Sequence, residues 1–299
     1  MRFFILIKCV CLSWMIQTIA CAEAIQLAYS DLVPDKFARI IDDFQLSTEQ
    51  QIRSTQTGSL PMIEEFLAGR YDICLLAMPE GSELPILNDS EITQLPLAYQ
   101  SAVVIVNADN PISELTFSQL AAIFGTASSG LDIKSWRDLG MAAFSTSSIK
   151  SYAAKDLQSI TSDLFRFTLF NSLPFKSAVQ VSTPKKIERL VSQDKVAIGI
   201  IPHLPQRENV KALFIAKDTG SIAYGPNSDN LYFADYSIRL PFYIVFRERD
   251  TQRLLPILNH LLGDSISEFL EESHFFPVPK MIRDKYAIDL QLFIQENEN

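Results

Sequence analysis

Ile25-Gln26-Leu27-Ala28-Tyr29, then Phe37, Ile40, Ile41 and Phe44, then Tyr71-Asp72-Ile73-Cys74-Leu75-Leu76: this stretch decides the fold. The first and last runs are short, apolar and strand-like. The residues between them recur at the spacing of one helix face, which predicts a helix over 34–44. Residues 51–55 read as a second short strand, and 61–67 as a helix stopped by Gly69. Strand and helix alternate as βαβαβ, the pattern of a parallel sheet flanked by helices.

The alternation continues outward. Ala102-Val103-Val104-Ile105-Val106 is an unbroken run of the kind buried on both faces of a sheet. Thr116 and Gln119 have capping-box spacing, with Leu115 and Leu120 at staple positions, so a helix is expected over 116–124, ended by Gly125. Thr183-Pro184 opens another helix with proline at its first position. A buried strand is expected over 196–201 and another over 242–246. Helices over 251–262, closed by Gly263, and over 266–272 follow. No internal repeat, low-complexity tract or long linker interrupts the series, so two parallel-sheet units with short joins are expected.

The N-terminus is different in kind. Arg2 precedes a stretch, 3–22, that is apolar apart from Lys8, Ser13, Gln17 and Thr18, and Ala22-Glu23-Ala24 supplies a small-x-small pattern. That order predicts a signal peptide over 1–24, cleaved after Ala24. The apolar stretch falls short of the roughly 20 clean residues of a membrane span. Thr18-Ile19-Ala20-Cys21 leaves lipidation at Cys21 as the second option. Cys9, Cys11 and Cys21 lie inside this segment, so Cys74 alone remains in the mature chain. One cysteine forms no intramolecular disulfide and no cysteine metal cluster. Within an apolar run it reads as a small core hydrophobe.

The mature part, about 275 residues, suffices for one large or two modest domains. The chain carries a formal charge of −9, and losing Arg2, Lys8 and Glu23 leaves two fewer cations and one fewer anion, hence −10. A nucleic-acid partner, which requires a basic footprint, is not expected. A small anion is compatible, because a cleft can be locally positive on an acidic protein. Catalytic motifs are absent. His203, His260 and His274 have no metal-ligand spacing, and no HExxH, GxSxG or GxxxxGK motif occurs. Asp42-Asp43 and Glu64-Glu65 fall on helix surfaces. No cofactor, metal or catalytic residue is expected.

Asn107-Ala108-Asp109-Asn110-Pro111 leads into Leu115-Thr116-Phe117-Ser118-Gln119-Leu120, then Ile123-Phe124-Gly125, then Trp136-Arg137-Asp138-Leu139-Gly140. This series resembles the "N-P … L-T-x-x-Q-L … I-F-x-G … W-x-D-L-G" signature of PstS-like phosphate-binding proteins, the periplasmic components of bacterial ABC importers. Gly69-Arg70-Tyr71-Asp72-Ile73, Lys195-Val196-Ala197-Ile198-Gly199-Ile200 and Phe275-Phe276-Pro277-Val278-Pro279 resemble further family segments, in order along 25–280. The resemblance implies an α/β, type II periplasmic binding protein fold: two lobes, mixed sheets and an interlobe cleft. Lobe I would comprise 25–100 with 240–299, and lobe II 101–239, joined by crossings near 98–102 and 237–242. It implies an exported, periplasmic, monomeric protein that captures phosphate or another oxyanion for a membrane permease. The alternative is a sensory or interaction protein that kept the fold and lost high-affinity phosphate binding.

The resemblance also places the ligand contacts. The first family loop maps to 28–32, where Ser30 and Asp31 are the polar groups. The second maps to 57–61, where Ser59 either contacts ligand or only caps a helix. The third maps to 155–161, with Lys155 at the family's arginine position and Ser159 and Thr161 retained. Gln158 and Ile160 replace two glycines there, and close backbone approach to a phosphate favours glycine. After the third strand the family places Ser followed by Asp or Arg, whereas this chain has Ala77-Met78. Lys155 lacks the planar fork of arginine, and Met78 cannot accept a proton from monohydrogen phosphate.

Overall fold

The computed structural model describes residues 24–48, 50–79, 82, 89–126, 131, 133–141, 147–155 and 160–297. The expected signal peptide therefore lies outside the described residues except for Ala24. The elements run β1 Ile25–Ser30, α1 Lys36–Ser47, β2 Ile52–Thr57, α2 Ser59–Leu67, β3 Ile73–Ala77, β4 Ile92–Ser101, β5 Val103–Asn107 and β6 Glu114–Thr116. Next come α3 Phe117–Phe124, β7 Lys150–Ala154, α4 Thr161–Phe170, β8 Gln180–Ser182, α5 Pro184–Gln193, β9 Ala197–Ile201, β10 Val210–Ala212, β11 Phe214–Ala216 and α6 Ser228–Tyr232. The chain ends with β12 Arg239–Arg247, α7 Thr251–Leu261, α8 Asp264–Glu272, β13 Phe276–Pro277 and α9 Lys280–Asn297.

Two main sheets result, ordered β13-β4-β12-β3-β1-β2 and β10-β5-β9-β7-β8. Each has a parallel core, β2-β1-β3 in one and β9-β7-β8 in the other. Antiparallel strands extend both cores, so the expectation of two parallel units is corrected to two mixed sheets. The cause is chain return: β12 re-enters the first sheet from the second and lies antiparallel between β3 and β4. The chain leaves through β4 and Ala102 into β5, and comes back through Ile238 into β12.

Local chemistry accounts for the elements. In α1, Phe37 and Ile41 are buried while Asp42 and Asp43 face solvent. Gly69 adopts φ 79°, the left-handed conformation glycine allows, and its N–H donates to Phe66 O beyond the end of α2. Thr116 and Gln119 form the expected reciprocal capping box of α3. Gly125 ends that helix with φ −89°, not a left-handed turn; a Cβ there would stand 3.2 Å from the Phe170 ring. All residues of β5 and β9 are buried, and Ile187 and Val191 of α5 cover them. Trp136 is fully buried and its indole donates to Val196 O at 3.2 Å. Cys74 is fully buried as a core hydrophobe, and burial pushes its thiol pKa up.

Candidate functional site in the interlobe cleft

On the first sheet, β1, β2 and β3 run parallel, so their C-terminal ends gather at one edge, the position where open α/β sheets bind ligands. Ser30 pairs in register with Thr57. Ser30 is buried; its Oγ donates to Asp31 Oδ1 at 3.3 Å and accepts from the Leu32 N–H at 3.2 Å. Asp31 is exposed, and its N–H donates to Thr57 O at 3.1 Å. Ser59 is not the helix cap: Gly58 holds that position in extended conformation and makes no side-chain bond. Ser59 is the first residue of α2, and its hydroxyl accepts the Ala77 N–H at 3.1 Å. With Pro61 lacking an N–H, the opening turn of α2 presents the N–H groups of Ser59 and Leu60, which have no partner within the helix.

Met78 is buried among Met62, Phe66 and Leu76. Its N–H donates to Pro241 O at 3.1 Å. The position where the resemblance calls for an acid or arginine is thus an apolar side chain packed into the core beside the strand ends.

The remaining expected contacts lie at the end of β7 in the second sheet and at the start of α4. Ala154 ends β7, and the next N–H, that of Lys155, donates to Ser182 O at 2.9 Å. The Lys155 side chain is exposed. Thr161 opens α4 and is buried, with its hydroxyl donating to Ser101 O at 3.4 Å. The Ser162 hydroxyl donates to Ala154 O. The start of α4 is therefore stitched both to the end of β7 and to the strand that crosses between the sheets. Ser159 lies outside the described residues.

A cavity of about 600 Å³ lies between the sheets beside these residues. Pro79, Arg239 and Leu240 line it on one side, and Ile160 before α4 with Asp163, Leu164 and Phe167 of α4 on the other. Ser30, Asp31, Ser59, Lys155 and Thr161 are not among its lining residues, although Pro79 follows Met78 and Ile160 precedes Thr161 in the chain. The family comparison had no counterpart for Arg239. Its guanidinium lies 5.1 Å from the Tyr99 ring centre and donates to the Leu231 and Tyr232 carbonyls. Burial pushes the Tyr99 phenol up to about 12 against the opposing effect of Arg239, so it stays protonated at neutral pH. Arginine in the crossing segment next to a predicted cleft was the one signal that could have found it.

The two crossing strands lie side by side, Ser101 opposite Arg239. The Ser101 hydroxyl donates to Ile238 O at 2.7 Å and the Tyr236 hydroxyl to Ala102 O at 2.8 Å, both buried. These bonds tie the outgoing and returning chain together at the narrowest link between the sheets. Among the described residues no three His, Cys, Asp or Glu side chains cluster as a metal site.

Two mixed sheets joined by a crossing pair of strands define a two-lobed α/β fold of the periplasmic-binding-protein type. The chain belongs to the PBP superfamily, whose domain model matches residues 16–272. It is 24% identical over 208 residues to the phosphate-binding protein PstS of Pseudomonas aeruginosa, covering 67% of this chain and 64% of that protein. It is 26% identical over 226 residues to protein SphX of Synechococcus elongatus, covering 72% of this chain and 66% of that one. The chain thus spans less than two thirds of either relative. Among solved structures, a possible phosphate-binding protein from Planctomyces limnophilus superposes with a TM-score of 0.68 at 17% identity, covering 90% of this chain and 98% of that one. PstS from Borrelia burgdorferi gives 0.64 at 15% identity, covering 85% and 99%. Both superpositions carry the fold over nearly the whole of those molecules.

Proposed function

We propose that this chain is an exported binding protein that holds a small oxyanion, phosphate first among them, in the interlobe cleft and delivers it to an ABC-type permease. It performs no catalysis. The observation that carries the reading is that the start of α2 is bonded to the end of β3 and the start of α4 to the crossing strand, one helix start in each lobe beside the crossing segment. Helix starts present free N–H groups and a positive dipole end, each favouring an anion by roughly 0.3–1 kcal/mol. The name of the P. aeruginosa relative, a phosphate-binding protein, supports the same ligand.

In this reading lobe I is 25–100 with 240–299 and lobe II is 101–239, closing about the crossing strands. Residues 1–24 direct export to the periplasm, with cleavage after Ala24 ahead of lipidation at Cys21. Among the described residues no helix is long and apolar enough to cross a membrane. The contacts are Ser30, Asp31, Ser59, Lys155, Ser159 and Thr161, and the protein acts as a monomer.

A thermal-shift and calorimetric screen of residues 25–299 against phosphate, sulfate, molybdate, organic phosphates and neutral solutes tests this. An oxyanion at 100 times its dissociation constant stabilises the fold by about 2.7 kcal/mol. Scattering should then show a smaller radius of gyration at saturation. Binding of neutral solutes alone, or of none of the panel, would overturn the reading.

A further inference from the structure

The three histidines are far apart in sequence, yet His203 and His274 meet. Their ring centres stand 4.5 Å apart with planes inclined at 38°. His203 follows β9 of the second sheet, and His274 precedes β13 of the first. The pair therefore bridges the lobes. In the first sheet the crossing strands β4 and β12 separate β13 from β3, β1 and β2. The histidines thus lie beyond the crossing strands from the ends of β1 and β3 that form the cleft wall.

We propose that His203 and His274 form an interlobe site for a borderline transition-metal cation, Zn²⁺ or Ni²⁺ in the first instance. Three features support it, the ring separation first. Two imidazoles bound to one metal through bonds of about 2.0–2.1 Å hold their ring centres roughly 4.5–5.5 Å apart, and this pair already stands at 4.5 Å. His203 Nδ1 lies 2.8 Å from Leu204 O. As a donor to that carbonyl it fixes the tautomer that leaves Nε2 as the coordinating nitrogen, the usual arrangement of a metal-binding histidine. His274 follows the C-cap Ser273 of α8 and adopts φ 66°, a conformation that favours glycine. An imidazole occupies that left-handed position at a helix C-terminus, where a cation is electrostatically favoured.

The pair opens onto a cavity of about 510 Å³, lined also by Glu271 and Gln206. Among the described residues no third ligand completes a preformed cluster. The site is a two-imidazole one, with its other coordination positions facing a space large enough for water. Because each lobe supplies one ligand, a bound cation ties the lobes together beyond the crossing strands.

The test is calorimetry of the full mature chain, carrying no histidine tag, with Zn²⁺ and with Ni²⁺. One metal per chain is expected. His203→Gln and His274→Gly should each weaken binding about tenfold or more, while His260→Gln leaves it unchanged. His274→Gly relaxes the left-handed backbone, so its melting temperature should not fall and a folding defect cannot imitate the loss. Electron paramagnetic resonance of the Cu²⁺-loaded chain should show coupling to two imidazole nitrogens. Absence of metal uptake, uptake undiminished in both variants, or a one-nitrogen spectrum would each overturn the proposal.

Discussion

The Ser59 hydroxyl accepts the backbone N–H of Ala77 at 3.1 Å, so the first residue of α2 closes the end of β3. Ala77 is buried, and without that oxygen its donor faces an apolar neighbourhood. Ser59→Ala should therefore lower stability by about 1–3 kcal/mol, the cost of one buried unsatisfied group. Urea unfolding reads this directly. An unchanged midpoint would mean that water replaces the hydroxyl.

Gly199 lies in the middle of β9, beneath α5. A Cβ there would stand 2.5 Å from Ile187 Cγ2 and 3.3 Å from Ile105 and Val191 side-chain atoms. Because Ile187 is β-branched and lies in a helix, its Cγ2 swings clear only through an unfavourable χ1 rotamer or a shift of α5. Gly199→Ala should cost about 1–3 kcal/mol through overpacking. Guanidinium denaturation with an unchanged midpoint would show that the helix yields freely.

These two sites mark what the sequence could and could not reveal. The capping box of α3, the buried runs of β5 and β9 and the proline start of α5 were readable because each is set by near neighbours. Of the two roles open to Ser59, the cap falls to Gly58, and the Ser59 hydroxyl is engaged by Ala77, 18 positions away, a link no local pattern shows. The last helix, α9, has no such local mark in the sequence, its apolar residues being spread around the axis. It is held instead by buried Arg283, which donates to Leu262 O at 2.6 Å and pairs with Asp264 at 3.1 Å. Mixed sheets, Arg239 in the cleft wall and the meeting of His203 with His274 all depend on chain return, which no local pattern encodes.

His260 of α7 stacks on Phe44 of α1, ring centres 4.3 Å apart, and burial lowers its pKa from the ordinary value. The unfolded chain then binds a proton more readily than the folded one. Below about pH 6.5, where a free histidine charges, unfolding gains that proton and stability falls until the lower folded pKa is passed. Stability from this group therefore rises with pH across that window. His260→Phe keeps the stack and removes the titration, so melting temperatures from pH 7.5 to 5.5 should decline less steeply in the variant. Parallel slopes would show that His260 is not the responsible group.

The cleft prediction turns on Lys155. Its N–H is fixed to Ser182 O while its side chain is exposed. The backbone is thus held in place and the ammonium is available to a ligand. Among Ser30, Asp31, Ser59, Lys155 and Thr161 it carries the only positive charge, and it stands near the start of α4. Lys155→Ala should weaken an oxyanion by roughly tenfold, the scale of a charge-assisted bond. The loss should shrink at high salt, since an exposed charge is screened. Lys155→Arg should bind at least as well, because a guanidinium fork matches an oxyanion in a bidentate manner. Thr161→Ala should weaken the anion less than Lys155→Ala does and should also lower stability, its buried hydroxyl being engaged with Ser101 O. Apolar Met78 is buried at the position where the resemblance calls for a carboxylate to accept the phosphate proton, so that means of telling monohydrogen phosphate from fully ionised sulfate is missing at that position. The two dissociation constants should then lie within about tenfold, a gap of roughly 1.4 kcal/mol. Calorimetry with both anions on the wild type and the Lys155 variants decides the matter. Tight phosphate binding with rejection of sulfate, indifferent to Lys155→Ala, would move the anion to other donors in the cleft.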